Sequence, residues 1–212
     1  MFVMVAGASP GLGKSTVTRG LGDHLSGDGR EVVVFLEAMI GERDEFADVM
    51  ASFRANGAAS RGVLTEAARR LADTYRDGAA VVVQDMVLPY TPSLLAWGFS
   101  DSEIIEMFNE IATACSGIRL IQLHLDGSPA ASLPRAVARE DPSWLAWMTA
   151  KVSKYADATA PVSDLTALVE YFDRASRRTL TLLGKAPWPV VIINSDRGRD
   201  QTLEDAINAI DI

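Results

Sequence analysis

Ala8-Ser9-Pro10-Gly11-Leu12-Gly13-Lys14-Ser15-Thr16 follows the apolar run Phe2 to Ala6 and leads into an amphipathic segment. A small residue, four free positions and then Gly-Lys-Ser is the pattern of a phosphate-binding loop, with Ala8 where a glycine commonly stands. A polyphosphate needs many N–H donors packed closely around its oxygens. Glycines at 11 and 13 let the main chain curl there without a Cβ in the way, and the positive end of the following helix adds a favourable field. Pro10, Gly11, Leu12, Gly13 and Thr16 would then frame the phosphates. Lys14 would reach the outer phosphates as a point charge, and the Ser15 hydroxyl would bind Mg²⁺. An inert Gly/Ser turn leaves Lys14-Ser15 without a purpose. A dinucleotide fingerprint, Gly11-x-Gly13-x-x-Thr16, fails at Thr16, where close helix packing wants Gly or Ala, and gives Lys14 no role.

The flanking chain repeats one theme. Phe2 to Ala6, Glu31 to Leu36, Ala79 to Gln84, Ile118 to Leu125 and Val190 to Asn194 are short apolar runs separated by segments of helical periodicity, the signature of a parallel sheet covered on both faces. The helical segments begin after the loop, at Arg43 to Arg54, at Arg61 to Tyr75, and behind the capping box of Ser100 and Glu103. Pro134 is placed in the first turn of a short helix, and further helices follow Ser143 and Ser163-Asp164 and close the chain through Ile210. The fold class is therefore α/β, a three-layer α/β/α arrangement around five parallel strands.

In such sheets ligands sit beyond the carboxyl ends of the strands. Glu37 ends the second strand and Asp85 follows the third, where a carboxylate can help hold Mg²⁺ with Ser15; a turn or cap role for Asp85 is the alternative. Pro89-Tyr90-Thr91-Pro92 leads into an aromatic stretch. Tyr90 and Trp97 are candidates to line a pocket for a flat or apolar substrate, against ordinary loop packing. Arg43 and Phe46 are further substrate candidates, although the Phe46 stripe also fits core packing. Arg135 and Arg139, four apart, share a helix face and suit a transferring phosphoryl group, with a surface ion pair to Glu140 or Asp141 as the alternative. Asn194, Asp196 and Arg197 follow the fifth strand, where a nucleotide base could rest.

Totals narrow the classes. At 212 residues the chain suits one domain, and 48% hydrophobic with 23% charged residues is ordinary for a globular protein. A net charge of −8 argues against a general nucleic-acid coat. One cysteine, Cys115, cannot form an internal disulfide and reads as a buried small hydrophobe. His124 has neither Cys nor a second His nearby, which speaks against a metal site. No run of about 18 apolar residues suggests a membrane span. The chain is expected to be cytoplasmic, with no nucleic acid or membrane as partner and a homodimer left open.

A loop at the first strand, acids ending the second and third and an arginine-bearing helix after the fourth resemble the P-loop kinases of nucleosides, nucleotides and other small molecules. The resemblance spans the chain; only the phosphate loop is specific. It implies one kinase-like domain over residues 1–212 with a helical lid at 128–160. Lys14 and Ser15 would hold ATP and Mg²⁺, Arg135 and Arg139 would belong to the lid, and Asn194 to Arg197 would neighbour the adenine. Glu37, or Asp85, would accept the proton of the hydroxyl being phosphorylated. Two positions depart from the deoxynucleoside kinases: Met86 stands where they carry arginine and Ala38 where proline is usual. The acceptor stays open among nucleosides, antibiotics, sugars and amino alcohols. A nucleoside monophosphate kinase using Arg43, Arg54 and Arg61, and a nucleotide-dependent switch, are the rival readings.

Overall fold

In the computed structural model, residues 1–78, 80–85, 88–155 and 162–210 are described. Five strands, β1 (Phe2–Ala6), β2 (Val32–Phe35), β3 (Val81–Asp85), β4 (Leu120–Asp126) and β5 (Val190–Asn194), form one parallel sheet in the order β2-β3-β1-β4-β5. β1 and β3 are buried along their whole length, as continuous apolar runs in a doubly covered sheet must be. The central strand β1 pairs Val5 with Asp85 on one side and Ala6 with His124 on the other. The chain order reverses about β1, so the loop leaving it opens into the crevice where such sheets bind ligands.

Helices α1 (Lys14–Gly27) and α9 (Arg199–Ile210) cover one face, where Val3, Val5, Leu21 and Ala206 meet. On the other face α2 (Ala47–Asn56), α3 (Arg61–Tyr75), α4 (Thr91–Ala96) and α5 (Asp101–Ala114) pack around Phe2, Phe46, Leu71 and Phe108. A third apolar cluster joins α6 (Pro129–Arg139), α7 (Trp144–Tyr155) and α8 (Leu165–Leu183) through Leu133, Met148, Leu168 and Phe172. Asp164 caps α8, its carboxylate accepting from the Ala167 N–H at 2.9 Å.

Three local expectations need correction. The segment 43–54 is not one helix: 3₁₀ turns at Glu37–Glu42 and Asp44–Phe46 precede α2. Pro134 lies inside α6; the proline of the first turn is Pro129, whose missing N–H has no intrahelical partner to lose there. The proline-punctuated stretch after β3 contains the short helix α4, entered through Tyr90 at φ 61°, a left-handed conformation unusual for a tyrosine. Ala79, Met86 and the last portion of the expected 128–160 lid lie outside the described residues.

Candidate active site

The loop between β1 and α1 takes its shape from two left-handed glycines, Gly11 at φ 78° and Gly13 at φ 91°. Gly13 is also the N-cap of α1, and no acidic side chain in the first turn of α1 offsets the positive helix end. At Gly11 there is a second reason for glycine: a Cβ would lie 2.1 Å from the Ser132 carbonyl oxygen of α6. The Ser9 and Ser132 hydroxyls are hydrogen-bonded at 2.9 Å, and Arg135 Nε approaches the Gly11 carbonyl oxygen at 3.4 Å. The loop is thus seated against α6. The Leu12 side chain is buried with Val3 and Val5, so this residue offers only its main chain to the site.

A cavity of about 320 Å³ opens over the loop. It is bordered on the loop side by residues 7–11 and 13–16, and Glu37, Asp85 and Arg139 also reach it. Lys14 Nζ donates to the Ser9 carbonyl at 2.9 Å, and the Ser15 hydroxyl donates to Asp85 Oδ2. The other Asp85 oxygen is buried without a partner. A hydroxyl and a carboxylate with a spare buried oxygen are hard donors of the kind Mg²⁺ takes, a metal that keeps several waters or substrate oxygens beside one or two protein ligands. Among the described residues no group of three or more His, Cys, Asp or Glu side chains forms a metal cluster. The site fits a magnesium shared with phosphates better than a fully caged metal.

The charged groups are held in a poorly solvated setting. Burial lowers the pKa of Lys14, opposed by Asp85 and Glu37. Burial raises that of Asp85, opposed by its bond from Ser15 and by Lys14. Glu37 is reachable by solvent from the cavity, yet protein crowds most of its surroundings, and this desolvation raises its pKa against the pull of Lys14 and Lys151. Each shift favours the neutral form, so a polyanion with a divalent cation would favour the charged forms of all three groups.

None of the far-wall side chains was among the expected site residues, although α7 falls within the expected lid. Trp144, Trp147, Met148 and Lys151 of α7 and Tyr171 and Phe172 of α8 line the same cavity. Their only mark in the sequence is spacing: 144, 147, 148 and 151 fall on one face of a helix. Pro92, Ser93 and Ala96 of α4 also line it.

Other candidates lie elsewhere. Phe46 is fully buried against Phe35, their rings 5.4 Å apart. Arg43 bonds Glu45 at 2.8 Å and the Tyr75 hydroxyl at 2.7 Å, outside the cavity. Trp97 packs on Phe53. Tyr90 is buried in a separate narrow cleft with His124 and Thr179. Arg139 borders the cavity and is paired with Glu140, the surface ion pair weighed as its alternative role. Asn194 and Asp196 border a distinct groove of about 470 Å³ beyond β4 and β5. There Asp196 accepts from the Ser128 N–H at 2.9 Å, while Arg197 pairs with Asp205 of α9 at 3.0 Å. Cys115 is buried and its thiol pKa is pushed up to about 11 by burial, which fits a hydrophobe and not a nucleophile. Among the described residues no helix is long and apolar enough to cross a membrane.

No family model and no curated protein matches the chain. Among solved structures it is similar to deoxyadenosine kinase from M. mycoides with bound dATP, at a TM-score of 0.57 and 10% identity over 100% of both chains. At that identity the likeness speaks for architecture. The strand order and the full-length structural match establish that the chain shares the three-layer α/β/α fold of that structure, built on a five-stranded parallel sheet.

Proposed function

We propose that this protein is an ATP-dependent phosphotransferase that moves the γ-phosphoryl group to a hydroxyl of a small molecule. The observation that carries the reading is convergence: Lys14, the Ser15–Asp85 pair and Glu37, from three different strand ends, border one cavity whose opposite wall is aromatic. Loop amides and Lys14 hold the phosphate tail, and Ser15 and Asp85 would hold a Mg²⁺ that would neutralise charge on its oxygens. Glu37 accepts the proton as the acceptor oxygen bonds to the γ-phosphorus. The bond from that phosphorus to the bridging oxygen breaks, and ADP leaves with the electron pair. Arg139, released from Glu140, offers its guanidinium to the transferring group. Within the expected 128–160 lid, α7 covers the cavity and excludes the water that otherwise competes as acceptor.

Against a nucleoside monophosphate kinase stands the placing of its arginines. Arg43 is bonded to Glu45 and Tyr75, and Arg61 is paired with Glu110 at 3.3 Å, neither on the cavity. Glu37, which such an enzyme does not need, is on it. A switch would use the same loop without an acceptor site. ATP consumption measured across nucleosides, nucleotides, aminoglycosides and other alcohols tests the proposal, with Lys14→Ala expected to lower turnover by roughly a thousandfold or more. Continued transfer in that variant, or stimulation by a protein partner alone, would overturn it.

A further inference from the structure

The wall opposite the phosphate loop has a feature that the transfer of a phosphoryl group from ATP does not use. Trp144, Trp147, Met148 and Lys151 recur at i, i+3, i+4 and i+7 of α7, and all border the cavity. Beside them on α8, Tyr171 and Phe172 stand edge to face with ring centres 5.2 Å apart. Trp147 is 52% exposed, a large aromatic surface without full cover at the cavity. Lys151 Nζ sits 4.9 Å from the Trp147 ring centre. Flat aromatic walls select flat ligands, and a single ammonium set among them selects an anion on such a ligand.

Charge placement sharpens this. Lys14 is engaged at the phosphate loop and Arg139 at Glu140, whereas Lys151 lines the same cavity as Glu37, burial lowering its pKa against the pull of that carboxylate. A neutral molecule lodged between Lys151 and Glu37 would offer a partner to neither charge. A molecule with an anion at one end and its hydroxyl at the other satisfies Lys151 with the first and leaves Glu37 ionised for the second.

Building on the kinase reading, we propose that the acceptor is a planar, ring-bearing alcohol that also carries a carboxylate or phosphate, and that Lys151 is the residue that selects it. Calorimetric titration of the full chain with MgADP present tests this, using 4-(hydroxymethyl)benzoate, its neutral benzamide counterpart and 4-(hydroxymethyl)phenyl phosphate as probes. One of the two anions should bind about tenfold more tightly than the amide. Whichever anion binds better identifies the charged group. Lys151→Met should erase that preference while MgADP affinity, which also reports an intact fold, stays unchanged; Lys151→Arg should restore it. The proposal is overturned if the amide binds as well as both anions, if no probe binds, or if Lys151→Met weakens MgADP instead. Failure of the wild-type protein to bind MgADP would strike the kinase reading itself, a separate outcome.

Discussion

The two walls of the cavity are built in different ways. The loop side presents main chain: curled amides, left-handed glycines and one lysine, held by the central strand of a buried sheet. The wall of α7 and α8 presents side chains, four of them aromatic rings, on helices far apart in sequence from the loop. Backbone donors cannot be changed by substitution unless the backbone itself is strained, whereas a wall of side chains can be altered one residue at a time. The first suits a partner that never varies, such as a polyphosphate, and the second a partner that defines the individual enzyme.

Substitutions on each side put that contrast to the test. The largest effect is expected where the two walls meet. Glu37→Gln should lower kcat by about a hundredfold to ten-thousandfold with MgADP affinity retained. Since burial raises the Glu37 pKa and the base works ionised, wild-type activity should fall with decreasing pH above the usual carboxylate range. That acidic limb should vanish in the residual activity of the variant; its persistence would shift the base role to Asp85.

Gly11→Ala addresses the backbone wall. With φ at 78° and Ser132 against the missing Cβ, it should cost about 1–3 kcal/mol in denaturant unfolding and weaken MgADP binding, with little preference among acceptors. An alanine tolerated with full nucleotide affinity would mean that the loop is less tightly seated than its geometry requires.

His124 pairs with Ala6 at the root of the loop, is fully buried, and has its pKa pushed down to about 4 by burial. Above the ordinary value near 6.5 both folded and unfolded chains keep it neutral. As pH falls below that, the unfolded chain takes up the proton first, so stability drains away between about 6.5 and 4. Unfolding free energy should drop by about 2 kcal/mol from about pH 7.5 to about pH 5 on this account, and His124→Leu should remove that share. An unchanged slope in the variant would assign the acid sensitivity to other groups.

The smallest effect belongs to the side-chain wall. Trp147→Ala should raise the acceptor KM about tenfold and leave the ATP KM alone. If both constants rise together, the two walls are not separable in the way their construction suggests.

Sequence reading served the two walls unequally, for the same physical reason. The loop is a local code, its glycines and lysine contiguous, and Glu37 and Asp85 are found by asking which acid comes directly after an apolar strand. The capping box was also legible: Glu103 N donates to the Ser100 hydroxyl, and Ser100 N to the Glu103 carboxylate at 2.8 Å. The aromatic wall carries no such code. A Trp-x-x-Trp-Met-x-x-Lys stripe looks the same whether it faces a core or a cavity, and only the folding of α7 and α8 over the sheet decides. Phe46 is the mirror case, an apolar stripe offered to substrate and claimed by Phe35 of the neighbouring strand. Pro134 misled because Pro129, five residues earlier, is the better helix opener.

The close seat of Gly11 against Ser132, with the Ser9–Ser132 hydrogen bond beside it, has a mechanical implication. Two segments more than a hundred residues apart share a surface with no slack, so α6 cannot tilt toward the cavity without tugging on the curl of amides beneath it. Changes that loosen α6 would then register first as altered grip on the polyphosphate, and laboratory evolution of one segment would have to carry the other along.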